Sequence, residues 1–171
     1  MQSFISEDNI EQAICDRLSQ PEYGWQRIEC DPSVEGQNDL SKTGRANVEE
    51  CILPEIFRNT LRRINPEIDA EILDEIVREY RKDYTGTDMV DTNYRFYNQI
   101  RNGIKVKIHK QNKEDFDIVK LIDFDNPENN DFHCVNQMWI KGRFRYRRPD
   151  VLLFVNGLPL VFIELKNSTV K

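Results

Sequence analysis

The chain has 171 residues, of which 39% are hydrophobic and 32% are charged, and its formal net charge is −6 at pH 7. This composition is ordinary for a soluble globular protein, and the length suits one domain with a sizeable core. The negative charge argues against strong unaided binding to duplex DNA, because duplex affinity comes largely from neutralising phosphates. No segment is long and apolar enough to span a membrane and no secretion signal is present, so we expect a cytoplasmic protein.

The first helix is predicted from its cap. Ser6 is a good N-cap, and the helix should run through about Ser19 with an apolar stripe at Ile10, Ile14 and Leu18. Residues 31–47 are polar and contain two glycines and a proline, which indicates a loop.

Helices are also predicted across the middle of the chain. One should run from about Asn47 to Asn65, and the next should begin at Pro66 and continue to Tyr80, before a turn at residues 85–87. The aromatic residues that follow are expected to pack a third helix of this group and lie at Tyr94, Phe96 and Tyr97.

From Gly103 the pattern changes to the period of two that is typical of strands. Strands are predicted over 104–109, 116–124 and 132–140, separated by polar turns. Basic residues then recur at every second position, at Lys141, Arg143, Arg145 and Arg147. In an extended strand they would form one basic stripe, which could contact DNA phosphates or simply be a solvated edge strand.

The cysteines and histidines give no sign of a zinc site. No close pair of the kind that zinc binding uses occurs among the cysteines, which lie at Cys15, Cys30, Cys51 and Cys134. We interpret them as reduced thiols. The two histidines, His109 and His133, are interpreted as surface or hydrogen-bonded strand residues.

Two aliphatic segments near the end of the sequence carry carboxylates at their ends. The runs 151–155 and 160–163 are typical of strands covered on both faces, with Asp150 before the first and Glu164 after the second. A charge at such a position is costly unless something pairs with it. A hard cation such as Mg²⁺ would stabilise two neighbouring carboxylates, whereas an ion pair with Lys166 would need no metal.

The loop between these runs decides whether the carboxylates can meet. Side chains alternate along a strand, so a two-residue loop at Asn156-Gly157 would put Asp150 on the opposite face from Glu164. A three-residue loop, 155–157, with its glycine in the left-handed conformation of a bulge, would bring them onto one face. We predict the odd-length loop.

The residues around these two carboxylates resemble those of a known family. Pro149-Asp150 followed by Glu164-x-Lys166 resembles the PD-(D/E)XK nuclease superfamily. The longer string around these residues is similar to the N-terminal nuclease region of the type I restriction enzyme R subunit, as are residues 126–132 and 135–137. The resemblance covers residues 123–167, is fainter at the first helix, and is absent over about 28–97.

The resemblance implies an α/β fold with a mixed central sheet flanked by helices and a restriction-endonuclease-like core. It implies one nuclease domain over residues 1–171, with a helical insertion over about 48–102. The family fold continues with a further helix and strand, so we expect this chain to be part of a larger subunit, weakly active or inactive alone. The ATP-dependent translocase of intact family members is not expected here, because the sequence has no phosphate-binding P-loop.

The resemblance also implies Mg²⁺-dependent hydrolysis of phosphodiester bonds in double-stranded DNA. Asp150, Glu164 and Lys166 would be the catalytic residues. Asp150 and Glu164 would hold the metal with the backbone carbonyl of Leu165, and Lys166 would orient or help deprotonate the attacking water.

Family members often add an acidic residue from the first helix to the metal site. Glu11 is the candidate here, and Glu7 could equally fill the role. The expected partners are double-stranded DNA and the modification and specificity subunits of a restriction complex.

Two other functions remain open at this stage. The chain could be a catalytically idle docking domain of the same complex, or another PD-(D/E)XK nuclease that acts in DNA repair.

Overall fold

The secondary structure comes from a computed structural model, which describes residues 6–31, 40–82, 88–110, 113–142 and 144–166. The helices are α1 (Glu7–Leu18), α2 (Leu40–Thr43), α3 (Pro54–Ile64), α4 (Ala70–Tyr80) and α5 (Met89–Asn102), with a 3-10 turn at Pro127–Asn129. The strands are β1 (Gln26–Glu29), β2 (Ile104–Lys110), β3 (Lys113–Val119), β4 (Phe132–Asn136), β5 (Ile140–Lys141), β6 (Tyr146–Arg147), β7 (Val151–Val155) and β8 (Leu158–Ile163).

The main sheet is mixed and has four strands in the order β1-β4-β7-β8. The β1 and β4 strands are parallel, whereas β4 with β7 and β7 with β8 are antiparallel. Two further pairs, β2 with β3 and β5 with β6, form separate two-stranded sheets. The expected mixed α/β architecture is therefore confirmed at this level. The sequence did not predict β1, because its four residues are mostly polar and show no alternation.

The central strands β4 and β7 are covered on both faces. On one face, Cys134 and Val151 pack against Cys15 of α1. The opposite face contributes to a second buried cluster, composed of Cys30, Leu53, Val135, Met138, Leu152 and Phe154. Burial on both faces explains the continuous aliphatic sequence of β7.

The β8 strand is not covered on both faces, although its aliphatic sequence predicted that it would be. Leu160, Val161 and Phe162 are 42%, 46% and 58% exposed, because β8 lies at the edge of the sheet formed by the described residues. An aliphatic run predicts a buried strand only when other elements cover both of its faces.

The largest core cluster lies between the helices and the β2–β3 pair. Its buried members are Ile52, Phe57, Leu61, Ile68, Leu73, Ile76, Val77, Tyr80, Ile108, Val119, Leu121 and Leu158. Leu158, the first residue of β8, links this cluster to the main sheet.

The cap of α1 is confirmed, but its buried face differs from the predicted one. The Ser6 hydroxyl accepts a hydrogen bond from the Asn9 amide at 3.2 Å. Ile10 is 39% exposed, whereas Glu11 and Cys15 are buried. The apolar stripe was a poor guide because α1 meets the sheet through a thiol and a carboxylate.

The two middle helices begin later than predicted. The α3 helix starts at Pro54, which lacks an N–H and suits the first turn, and Asn47 instead caps a turn by accepting from the amides of Glu49 and Glu50. The α4 helix starts at Ala70 rather than Pro66. Both predicted ends, near residues 65 and 80, are confirmed.

Other predicted elements are confirmed only in part. The predicted loop over 31–47 contains the short helix α2, and residues 32–39 and 85–87 lie outside the described ranges. The strand predicted to reach residue 124 ends at Val119, and the one predicted to reach residue 140 ends at Asn136. On α5, Phe96 packs on Tyr80 with ring centroids 5.0 Å apart, whereas Tyr94 is 68% exposed.

None of the helices in the described ranges combines the length and the apolar character that crossing a bilayer requires.

Candidate active site

The loop between β7 and β8 is shorter than predicted. Val155 pairs with Leu158, which leaves a two-residue turn at Asn156 and Gly157 with φ values of 54° and 79°. Two successive positive φ values are typical of a type I′ turn, the favoured connection of tight hairpins. The prediction of a three-residue loop was therefore wrong.

A bulge one step further along restores the pairing that the longer loop would have produced. Phe154 pairs with Pro159 and Leu153 with Val161, so Leu160 is an extra residue on β8. The register continues to Val151 with Ile163, and its next positions are Asp150 and Glu164. The bulge, rather than a longer loop, thus supplies the extra residue that the predicted meeting of Asp150 and Glu164 would need.

The turn itself is buried and hydrogen-bonded on all sides. The Asn156 amide group donates to the Leu121 carbonyl and to Asn130 Oδ1, both at 2.8 Å. Its Oδ1 accepts from the Asp131 amide at 2.8 Å, and its own N–H donates to the Asp131 carbonyl at 2.7 Å. These bonds fix the hairpin against the 121–131 segment.

Gly157 leaves no room for a side chain. A Cβ atom there would lie 2.6 Å from the Leu53 carbonyl oxygen and 2.8 Å from the Phe57 amide nitrogen. The close approach lets the Leu53 amide donate to the Gly157 carbonyl at 2.9 Å. The hairpin is therefore held against the start of α3.

A cavity of about 660 Å³ lies at the end of the main sheet, where β1 and β4 end and β7 begins. Its lining includes five acidic side chains and one basic side chain, namely Glu7, Asp8, Glu11, Glu29, Asp150 and Arg148. An excess of carboxylates in a confined space favours binding of a cation.

Glu11 is 4% exposed, and two amide groups at the end of β4 hold its carboxylate. Asn136 Nδ2 donates to Glu11 Oε1 at 2.8 Å, and Gln137 Nε2 donates to Glu11 Oε2. The structure thus places the predicted helix glutamate in the same cavity as Asp150. The alternative, Glu7, lines this cavity as well.

Gln137 connects the two sides of the cavity. Its backbone N–H donates to the Asp150 carbonyl at 3.0 Å while its side chain contacts Glu11. Its φ is 58°, a left-handed conformation that costs a non-glycine residue on the order of 1–2 kcal/mol. Such strain persists only where the surroundings hold it in place.

The Asp150 carboxylate has a partner from the end of the hairpin. Its Oδ2 accepts from the Leu165 amide at 2.6 Å. Glu164 and Lys166 are exposed and do not belong to the lining of the cavity. Of the predicted catalytic residues, only Asp150 lies in the cavity.

The donor set suits a magnesium ion held by few protein ligands. In the described ranges, no group of three or more His, Cys, Asp or Glu side chains is arranged to hold a metal. Mg²⁺, however, usually binds one or two carboxylates and keeps several waters. Glu11 and Asp150 supply two carboxylates, and Asn136 Oδ1 is a buried oxygen with no hydrogen-bond partner among the described residues. These residues therefore fit such an ion.

Arg148 supplies the positive charge of the cavity. Its guanidinium carbon lies 5.4 Å from the centre of the Trp139 ring, within the range of a cation–π contact. No role was predicted from the sequence for Arg148 or for Glu29, and no sequence signal pointed to Glu29.

The predicted basic stripe does not form one strand. The strand β5 pairs antiparallel with β6, so that Ile140 lies opposite Arg147 and Lys141 lies opposite Tyr146. Lys141 forms an ion pair with Glu49 at 2.9 Å, which raises its pKa. Arg145 and Arg147 are exposed, and Arg143 lies outside the described residues. The reversal at Gly142, whose amide donates to the Arg145 carbonyl at 3.0 Å, explains the difference.

One helical turn after Glu11, a buried thiol of α1 contacts a buried thiol of β4. The Cys134 thiol donates to Cys15 Sγ at 3.3 Å. This hydrogen bond lowers the pKa of Cys15, and the same bond, with burial, raises the pKa of Cys134. All four cysteines are free, as predicted, but their spacing gave no sign that this pair would meet.

Comparison with known proteins agrees with the resemblance of the motifs. Residues 4–171 match the family described as "Type I restriction enzyme R protein N terminus". Over 167 residues the chain is 36% identical to the type I restriction enzyme HindI endonuclease subunit of Haemophilus influenzae, covering 96% of this chain and 15% of that protein. Over 129 residues it is 32% identical to a Methanocaldococcus jannaschii protein named for the MjaIXP type I restriction enzyme endonuclease subunit, covering 72% of this chain and 12% of that protein. The chain therefore belongs to the family of N-terminal regions of type I restriction enzyme R proteins.

Proposed function

We propose that this chain is a Mg²⁺-dependent endonuclease domain with a PD-(D/E)XK core, which hydrolyses phosphodiester bonds in double-stranded DNA. The observation that supports it most is that Glu11 and Asp150 line one acidic cavity in a chain whose relatives are named endonuclease subunits. Carboxylates from a helix and from a strand end are the donors that such a hydrolysis requires.

In this proposal, Glu11 and Asp150 hold the cation, with Glu164 and the Leu165 carbonyl as further ligands. Mg²⁺ bound there supplies a Lewis acid for the scissile phosphate and an acidified water. Lys166 orients the attacking water or takes its proton, and Arg148 attracts the phosphate into the cavity. The Leu165 amide keeps the Asp150 carboxylate turned toward the end of β8.

Glu164 and Lys166 would have to reach the cavity when substrate binds. Their position directly after β8, across from Asp150 in the register, requires only a local change in the last residues of the described hairpin. Catalytic contacts are commonly long in a free enzyme and tighten when the substrate is present.

The proposal extends to the assembly in which the chain would act. We infer that it forms part of an R subunit which couples cleavage to an ATP-dependent translocase outside this chain. The modification and specificity subunits would be its partners, and the specificity subunit would select the DNA sequence.

Metal binding by the chain tests the proposal. Titration with Mn²⁺ alone, followed by electron paramagnetic resonance, is expected to detect one site in the wild-type chain. Asp150→Asn keeps an oxygen for the Leu165 amide but removes the charge, so we expect at least about a tenfold loss of affinity. Glu71→Gln, at an exposed position in the first turn of α4, is the matched control and should bind as the wild type does. Equal affinity in wild type and Asp150→Asn would contradict the proposed site.

Cleavage is tested in the full-length protein that carries this chain, assembled with its partners. Lys166→Ala is expected to abolish cleavage of supercoiled DNA while ATP hydrolysis continues. Retained cleavage would instead favour the docking-domain interpretation.

A further inference from the structure

The contacts of Gln137 include one with Asp150 and one with Glu11, which differ in what they require of the residue. The contact with Asp150 uses the backbone N–H, which a glycine would offer equally well. The contact with Glu11 uses the side-chain amide, which a glycine lacks. A glycine would also adopt the φ of 58° without strain. The side-chain contact with Glu11 is therefore one reason that the structure offers for a glutamine here.

Asn136 provides the second half of the same arrangement. It is the last residue of β4, is 1% exposed, and donates to the other oxygen of Glu11. The two amides together occupy both carboxylate oxygens from the sheet side, which fixes the orientation of the carboxylate. The remaining lone pairs of Glu11 are left for the cavity that it lines.

We propose that Gln137, with Asn136 beside it, is a positioning residue that holds the Glu11 carboxylate in the cavity with Asp150 and thereby sets the affinity for the divalent cation. The inference rests on the proposed function, because it assigns Glu11 to the metal. Hydrogen-bonded partners that orient a metal ligand commonly change metal affinity by 10- to 100-fold when they are removed.

The test compares Gln137→Gly with Gln137→Ala. Both variants lose the amide and keep the N–H to Asp150, but only glycine relieves the left-handed backbone. We expect Mn²⁺ affinity to fall about tenfold or more in both. We expect the thermal midpoint of the metal-free glycine variant to equal or exceed that of the wild type, and that of the alanine variant to lie below the glycine variant. Gln26→Ala, which removes an exposed amide from β1, is the control and should change neither property.

Two results would overturn the inference. Wild-type Mn²⁺ affinity in Gln137→Gly would mean that the amide does not position Glu11. A large fall in the midpoint of the metal-free glycine variant would mean that the residue only supports the fold.

A measurement without metal separates failure of this inference from failure of the proposed function. In the metal-free protein, Glu11→Ala and Gln137→Gly are combined and urea midpoints are recorded for both single variants and the double variant. If the contact exists, the effects are non-additive. Non-additivity without Mn²⁺ binding by the wild type would refute the metal function and leave the contact, whereas additivity would refute the positioning contact itself.

Discussion

Asn156 illustrates how much a single side chain can contribute when it is fully buried among backbone groups. Asn156→Gly keeps the positive φ but leaves the Leu121 carbonyl, Asn130 Oδ1 and the Asp131 amide without this partner. We expect a loss of about 2–4 kcal/mol in the free energy of unfolding, measured by urea denaturation.

The same exchange at Gln137 provides a comparison. Gln137 is the other non-glycine residue with positive φ in the described parts of the chain, and its side-chain amide donates to the carboxylate of Glu11. Gln137→Gly is expected to cost little or to stabilise. Equal losses in the two variants would contradict the structural role given to Asn156.

His133 predicts a dependence of stability on pH. It is 5% exposed, and burial lowers its pKa below the ordinary value of 6.5. The unfolded chain therefore binds the proton first as pH falls. We expect the contribution of neutral His133 to be complete above about pH 6.5 and to be lost progressively below it, by at most about 1.4 kcal/mol per pH unit.

Urea unfolding of wild type and His133→Gln at about pH 7.5 and about pH 5.5 checks this expectation. The wild type should lose more stability between the two values than the variant does. The carboxylate of Asp123, whose pKa is lowered chiefly by a hydrogen bond from Asn129, titrates below 3.8 and outside this window. An equal loss in both proteins would exclude His133 as the cause.

At the residue scale, three of the acidic residues that line the cavity were named in advance, namely Asp150, Glu11 and its alternative Glu7, whereas Glu29 and Arg148 were not. Asp150 could be singled out because a carboxylate at the end of an apolar run needs a partner, whereas Glu11 was a candidate because the family resemblance implied an acidic residue from the first helix. Asn136 and Gln137 are uncharged, so the sequence gives no comparable signal for them. Their contacts with Glu11 form only when α1 packs against the end of β4.

The β7–β8 hairpin sets the position of Glu164 through its bulge. Inserting one alanine between Ile163 and Glu164 leaves every observed strand pair intact but moves Glu164 and Leu165 by one position. The role proposed for Glu164 predicts that DNA cleavage by the full-length protein falls about 100-fold, because misplacing a catalytic group by a small distance has effects of this size.

Deletion of Leu160 is the matched control, because it shortens the hairpin by one residue where the insertion lengthens it by one. Leu160 is the unpaired residue of the bulge, so its removal keeps the pairs from Leu153–Val161 onward and keeps Asp150 across from Glu164. Cleavage should be retained. Similar losses in the insertion and the deletion would show that hairpin length alone, rather than register, matters.

Elements with local signals were predicted well, and those that depend on distant contacts were not. The cap at Ser6 and the helix ends near residues 65 and 80 were predicted correctly, because caps and turns are local. The bulge at Leu160 could not be predicted, because an unpaired residue is defined only by the strand opposite. The hairpin of the basic segment was not predicted, because the alternation of basic residues continues without interruption past Gly142, where the chain reverses.

For the whole molecule, a net charge of −6 opposes the proposed binding to DNA, which would therefore need a local concentration of basic residues. Arg145 and Arg147 are exposed on the β5–β6 hairpin, whose chain leads into the cavity-lining Arg148. Replacing both Arg145 and Arg147 by alanine is expected to weaken duplex binding and to reduce the slope of log affinity against log salt by about 2.

Fluorescence anisotropy at several salt concentrations measures this slope in the full-length protein. Arg78→Ala is the control, since Arg78 is an exposed arginine of α4 that does not line the cavity. If Arg78→Ala reduces the slope as much as a hairpin arginine does, the hairpin is not a specific DNA contact.

The mixed α/β class was predictable from the whole sequence, because the change from helical to strand periodicity is visible near Gly103. The cavity was not, since its lining comes from α1, β1, β4 and the segment before β7. Only the packing of α1 on the sheet brings these together.

The sequence separation within the cavity has a consequence for biosynthesis. Glu11 and Asn136 are 125 residues apart, and at about 5–20 residues per second a ribosome needs roughly 6–25 s to make the second after the first. Throughout that interval the first helix has no sheet against which to orient its carboxylate. A nascent or prematurely terminated chain thus carries an unassembled cavity, in which the Glu11 carboxylate has not yet met the amide of Asn136.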